Sequence, residues 1–263
     1  MPDSQLPYST SPLLEELDCI GYGFFGAQGG VSGGIYASLN CGYSSSDDPV
    51  AISRNRQRVA VHFALDAAQL YSLKQAHTTR VIEVDRHSEP QFETCADGMV
   101  SREAGVALGV LGADCAPVLF VDPVARVIGA AHSGWKGALE GVNEAVLDAM
   151  AELGAQRTRI RAAIGPAMQQ AHYQVQADFR ANFEQNSPID AAPFFVSTEG
   201  QTCFDTPGYI EARLRTAGIA QIDLSNEDTY SQPARYFSYR RSCHKNEPDY
   251  GRQIAAISLS GHA

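Results

Sequence analysis

Two apolar runs near the middle of the chain, 116–121 (APVLFV) and 127–131 (VIGAA), limit its folds more than any other feature. Both are short and rich in Val, Ile, Leu and Phe, so both read as buried strands. Asp122-Pro123-Val124-Ala125 follows the first run. It is a turn sequence, because Pro at the second position has its φ already set and Asp at the first can bond the backbone ahead of it. If the turn closes from Asp122 to Ala125, Val121 faces Arg126, Leu119 faces Ile128 and Cys115 faces His132. Opposite residues of an antiparallel pair have Cα atoms roughly 4.5–5.5 Å apart and side chains on one face. The hairpin therefore sets a thiol beside an imidazole at its mouth. A slip of one residue would send the two to opposite faces.

The rest of the chain supplies partners for this hairpin. Residues 20–25 begin as a strand and run into a glycine-rich loop, Gly29-Gly30-Val31-Ser32-Gly33-Gly34. That loop matches neither the P-loop nor the GxGxxG spacing, so it reads as a tight surface loop rather than a phosphate cradle. A helical pattern over 48–65 starts at Asp47 or Asp48, with Pro49 in the first turn. Arg54, Arg56 and Arg58 fall on that helix and read as a solvated basic face. Segment 70–84 looks like two strands around a loop at 75–79 that carries His77. Asp97-Gly98 is a turn signal, and 106–111 is a further strand. Gly134-Trp135-Lys136-Gly137 turns the chain into a helix over 138–153, stopped by Gly154. Later strands are expected at 159–164, 221–224 and 254–259, and helices at 177–185 and 208–217. An antiparallel hairpin at the centre does not suit a doubly wound parallel sheet. The pattern predicts an α+β fold, a layered α/β sandwich with a mixed, largely antiparallel central sheet and helices on its faces.

Composition narrows the function. At 263 residues, 44% hydrophobic and 19% charged, the chain is an ordinary globular sequence of one large domain or two small ones. A net charge of −10 gives no overall attraction to nucleic acid. No apolar run approaches a membrane span, so no membrane partner is expected. The six cysteines are widely spaced without a CxxC, which argues for reduced thiols and a cytoplasmic location rather than a disulfide framework.

Three uses of Cys115 and His132 stay open on the residues alone. They are a buried thiol with a satisfied histidine, a nucleophilic thiolate with its base, and a metal site completed by His77, the best-placed loop histidine. Two His and one Cys with an open fourth position is a catalytic zinc arrangement. Arg240 and Arg241, with Arg252 beyond them, offer fork geometry for a phosphate or carboxylate, or are simply solvated.

At these residues the chain resembles a known family. The shared stretches are GFFGAQGGVSGGIYASLN at 23–40, NR at 55–56, KQAHTTRV at 74–81 and ADG at 96–98. They continue with GADCAPVLFVD at 112–122, GAAHSGWKG at 129–137, IGP at 164–166 and SYRR at 238–241. The family is the YfiH-like one, described as a laccase domain or polyphenol oxidase, as a peptidoglycan editing factor, and as a purine nucleoside phosphorylase with adenosine deaminase activity. The resemblance implies a three-layer α/β sandwich and a single catalytic domain over 1–263. It implies a catalytic zinc held by His77, Cys115 and His132, with copper as the alternative ion. Arg240 and Arg241 match the family's arginine pair, and with Arg56 they are expected to bind substrate or phosphate. The implied reaction is phosphorolysis of adenosine, inosine and methylthioadenosine to a free base and ribose 1-phosphate, with adenosine deamination on the side. The partners are then small molecules, a purine nucleoside and phosphate. An editing amidase acting on a cell-wall precursor is the enzymatic alternative, and a copper-dependent polyphenol oxidase a weaker one. A metal-stabilised interaction module is the non-enzymatic reading. The chain departs from the family pattern at Ser242, Tyr250, Asp228 and His172, and in a longer loop over 242–250.

Overall fold

Both apolar runs are strands buried along their whole length, and the sandwich is built outward from them. The computed structural model describes residues 6–88, 93–198 and 200–261. In chain order its strands are β1 (Tyr8–Ser9), β2 (Ile20–Phe25), β3 (Leu70–Tyr71), β4 (Val81–Glu83), β5 (Gly98–Ser101), β6 (Ala107–Gly112), β7 (Ala116–Asp122), β8 (Val127–Ser133), β9 (Arg161–Ile164), β10 (Gln174–Val175), β11 (Phe195–Thr198), β12 (Gln201–Phe204), β13 (Gln221–Leu224) and β14 (Gln253–Leu259). The helices are α1 (Pro12–Glu15), α2 (Pro49–His62), α3 (Trp135–Glu140), α4 (Val142–Glu152), α5 (Ala177–Asn186), α6 (Thr206–Thr216) and α7 (Tyr239–His244). Among the described residues no helix is long and apolar enough to cross a membrane.

The hairpin β7–β8 lies in the middle of a six-stranded sheet of order β13-β9-β7-β8-β5-β4. Its inner pairings are antiparallel, and the two edge strands add in parallel. A second sheet, β1-β2-β14-β6-β3, stacks on it. Alternation along the strands explains the stacking. Leu119 and Val121 of β7 pack with Phe24, Leu108, Val110 and Ile257 of the second sheet. Val118 and Phe120 point the other way, onto Val146, Leu147 and Met150 of α4. The outer face of the second sheet is covered by Val59 and Ala60 of α2. The expected layered, mixed and largely antiparallel sandwich is what forms. It has two stacked sheets between the helices, so its layers number four, helix–sheet–sheet–helix, where three were implied.

Three local expectations need correction, and one small sheet is new. The hairpin register is Asp122↔Val127, Val121↔Ile128, Leu119↔Ala130 and Pro117↔His132. Four residues, not two, form the connection, and Arg126 takes a positive φ of 53° within it. The helix expected over 138–153 starts earlier and is broken into α3 and α4 at Gly141, whose φ of 99° only glycine adopts without strain. The basic face of α2 is not wholly solvated, because Arg56 is 1% exposed. A three-stranded sheet, β10-β12-β11, was not foreseen. It packs with α5 as an aromatic cluster, Phe183 lying 4.5 Å from Phe204 and Trp135 5.1 Å from Phe179 between ring centroids.

Candidate functional site

Three chain segments bring His77, Cys115 and His132 together. His132 is the penultimate residue of β8, Cys115 directly precedes β7, and His77 lies in the loop between β3 and β4. Because β7 pairs Pro117 with His132, Cys115 stands two residues away, on the same face and diagonally adjacent. One donor atom from each of the three lies within 4.8 Å of the others. The two imidazole rings are 4.9 Å apart and edge to face.

The chemistry of the three residues fits a metal ion on two observations. Nδ1 of His77 is buried and has no hydrogen-bond partner among the described residues, a costly state for a polar atom unless something ligates it. Gly134 leaves space beside it: a Cβ there would sit 2.6 Å from His77 Nδ1 and 2.9 Å from Cys115 Sγ. One sulfur and two nitrogens also form a borderline-soft set suited to zinc or copper.

Buried groups around the three tune them. His132 is 6% exposed, and its Nδ1 lies 2.8 Å from Oδ1 of Asp97. Burial pushes its pKa down, but the Cys115 sulfur and the Asp97 carboxylate outweigh burial and raise it to about 9. Its proton is the positive charge that a metal would displace. Burial and the neighbouring His132 both push His77 down. Burial raises Asp97, and its bonds to His132 and to the N–H groups of Thr78 and Ala76 bring it down to about 2. Asp114, with a φ of 98°, joins Cys115 to the far wall. It accepts from Thr229 Oγ1 at 2.7 Å and from the Arg240 N–H at 2.7 Å.

The group opens on a cleft of about 840 Å³. Tyr43, Trp135, Tyr173, Tyr239 and Tyr250 give it aromatic walls, and Lys74, Arg240 and Arg252 bring positive charge. The guanidinium of Arg240 lies 5.3 Å from the Tyr173 ring centre, and that of Arg252 lies 4.1 Å from the Tyr250 ring centre. Arg240 thus lines the cleft, and the other two expected arginines do not. Arg241 donates to the carbonyls of Thr229 at 2.7 Å, Tyr230 at 2.8 Å and Tyr236. Arg56 donates to the carbonyls of Leu70 at 2.7 Å and Cys41 at 3.3 Å, and stands 5.3 Å behind the Tyr43 ring. The glycine-rich loop is also absent from the lining. It is stitched to α2, where the Val31 N–H donates to Asn55 Oδ1 at 2.8 Å.

Asp97 is the residue that the sequence reading undervalued, taking it for half of a turn signal. The ADG stretch at 96–98 was the available sign, and only the strand pairing shows what the carboxylate touches. Two of the family departures prove to be partners, with His172 Nδ1 lying 2.5 Å from Asp228 Oδ2. Tyr250, a third, lines the cleft.

Comparison with known proteins gives the family and the fold. Residues 21–260 match the model of a family described as multi-copper polyphenol oxidoreductase laccase. A Streptomyces griseus protein named purine nucleoside phosphorylase ORF3 is 38% identical over 84% of this chain and 88% of its own. A Deinococcus radiodurans protein named purine nucleoside phosphorylase is 34% identical over 97% of this chain and 93% of its own. Among solved structures, the Bacillus licheniformis hypothetical protein YfiH superposes with a TM-score of 0.85 at 28% identity, covering 92% of this chain and 93% of that one. YlmD from Geobacillus stearothermophilus gives 0.84 at 27% identity, covering 98% and 99%.

Proposed function

The chain belongs to the multi-copper polyphenol oxidoreductase laccase family, the YfiH-like group, and from that membership we propose that it is a zinc-dependent purine nucleoside phosphorylase. One observation carries the proposal. The group His77, Cys115 and His132 opens on the same cleft as Lys74, Arg240 and Arg252, so a metal position and cations for an anionic co-substrate share one space.

Zinc is the assigned ion, since one thiolate and two imidazoles leave its fourth position open. Copper would use the same donors. A multi-copper centre would need more histidines at the site, and four of the others are engaged or placed elsewhere. His62 packs on Tyr8 and Phe25, His172 meets Asp228, His244 Nδ1 bonds Tyr230, and His87 is exposed outside the cleft. Bound at the three donors, the metal supplies a Lewis acid that polarises a substrate atom beside it.

The chain's own residues do the rest. Arg240 and Arg252 hold phosphate through their planar forks, and Lys74 adds a point charge. The tyrosines and Trp135 give the purine ring apolar faces and keep water from it. A phosphate oxygen forms a bond to C1′ as the bond from C1′ to N9 breaks. The electron pair passes to the purine, which takes up the proton that phosphate loses, and the sugar remains as its 1-phosphate. Adenosine, inosine and methylthioadenosine are the proposed substrates, with adenosine deamination in the same cleft. The whole chain, 1–263, acts as one catalytic unit, and its six free cysteines support a cytoplasmic location.

The test is a metal assay on purified protein together with adenosine and phosphate, measuring ribose 1-phosphate and inosine separately. Phosphate-dependent ribose 1-phosphate is expected. Cys115→Ser should lose the bound metal and about a hundredfold or more of the rate. Phosphorolysis that survives in Cys115→Ser would show that the metal is not catalytic. No turnover of adenosine or inosine, with cleavage of a muramoyl-serine substrate, would favour the editing amidase instead.

A further inference from the structure

We propose that Asp97 is the positioning residue for the metal centre, setting both histidine donors through a single carboxylate. The inference rests on the metal reading above and extends it to a residue that touches no metal itself.

Asp97 is wholly buried, directly before β5. Its two oxygens have separate duties. Oδ1 lies 2.8 Å from His132 Nδ1. Oδ2 accepts the N–H of Ala76 at 3.1 Å, the N–H of Thr78 at 2.7 Å and the hydroxyl of Thr78 at 3.0 Å. Ala76 and Thr78 flank His77, so the loop that carries His77 is wrapped around this oxygen. His77 itself has a φ of 57°, a backbone state that a non-glycine residue keeps only when its surroundings impose it. The backbone of Asp97 ties the same parts together. Its carbonyl accepts from the His132 N–H at 2.8 Å, and its N–H donates to the Arg80 carbonyl at 3.1 Å. The strand pairing that sets Gly98 opposite Ala131 brings the carboxylate beside the imidazole.

The consequence for His132 is a choice of tautomer. A carboxylate only accepts, so it holds the ring proton on Nδ1. With Nδ1 turned to Asp97, Nε2 is the ring nitrogen left to ligate a metal. A donor of this kind is ready to ligate, and such outer partners typically contribute about 10–100-fold to metal affinity. Asp97→Asn would reverse the choice. The Asn oxygen would stay with the Ala76 and Thr78 N–H groups, and its NH2 would face Nδ1. The ring proton would move to Nε2 and block the donor atom.

Two measurements test this. The first is zinc affinity of wild type and Asp97→Asn by competition with a chromophoric chelator, on protein shown to be folded by circular dichroism. A loss of about 10–100-fold is expected, and equal affinity would overturn the proposal. The second is the ¹⁵N signature of the His132 ring in zinc-loaded wild-type protein, which does not depend on the variant folding. A proton on Nδ1 is expected, and one on Nε2 overturns the proposal. A purely structural Asp97 would lower the stability of the variant and leave its zinc affinity in place. Wild-type protein that takes up no zinc overturns the metal reading and this inference with it. Zinc-binding wild type with an equally tight Asp97→Asn overturns the Asp97 inference alone.

Discussion

Arg240 and Arg241 are neighbours in the chain, and the helix that carries them separates their duties. Successive residues of a helix point about 100° apart. On α7 that rotation aims Arg240 at the cleft and Arg241 at the carbonyls of Thr229, Tyr230 and Tyr236. Arg240→Ala should therefore raise KM for phosphate about tenfold with little change in thermal stability. Arg241→Ala should act on the fold, lowering stability by about 1–3 kcal/mol because it leaves carbonyls unpaired. Phosphate kinetics and melting curves on both variants separate the two, and an Arg240→Ala enzyme with unchanged phosphate KM would remove Arg240 from phosphate binding. The residue pair was visible in the sequence, and the division of roles was not. Nothing in SYRR shows which arginine faces a cavity, since that depends on the phase in which α7 docks.

At the scale of elements, the β7–β8 hairpin shows how a wrong register can leave the right neighbours. The four-residue connection moves the residue opposite His132 from Cys115 to Pro117. A shift of two keeps every side chain on its face, so Cys115 and His132 still meet. Asp122 holds the connection. Its Oδ1 accepts from Val124 and Ala125 at 2.9 and 3.0 Å, and its Oδ2 lies 2.8 Å from Arg159. Burial raises the Asp122 pKa, but Arg159 and three backbone N–H groups outweigh it and hold the carboxylate below the usual range. The ionised form therefore stabilises the fold above the unfolded-state pKa, about 3.9, and that contribution is lost as pH falls through the lower folded value. Asp122→Asn should cost about 2–3 kcal/mol at pH 7 and less at pH 3, below the unfolded-state value. Urea unfolding at both pH values checks it, and an equal cost at both would rule out the charge as the cause.

For the whole molecule, the candidate metal centre is a long-range construction. It joins the His77 loop, the entry to β7 and the end of β8, with Asp97 between them. An ion that binds only when all three segments are in place stabilises the folded state by mass action. At a free zinc concentration a hundred times Kd the gain is about 2.7 kcal/mol, or roughly 5–10 °C in Tm for a chain of this size. Calorimetry with and without zinc measures it for wild type, and Cys115→Ser should show no shift. A wild-type Tm indifferent to zinc would argue against a site that spans these segments.

The sequence by itself determined the buried hairpin, a helix start at Asp47 or Asp48, the strands over 221–224 and 254–259, and, through the family resemblance, the three residues proposed to hold a metal. Each of these is written in local periodicity, in a capping or turn residue, or in a run of motif residues. Only the tertiary structure decided that two sheets stack, that Arg56 and Arg241 are bound to carbonyls behind the cleft, and that Asp97 serves both histidines. The physical reason is range. An apolar run reports its own burial, whereas the partner of a buried carboxylate lies on a strand 35 residues away and is fixed only when β5 and β8 pair.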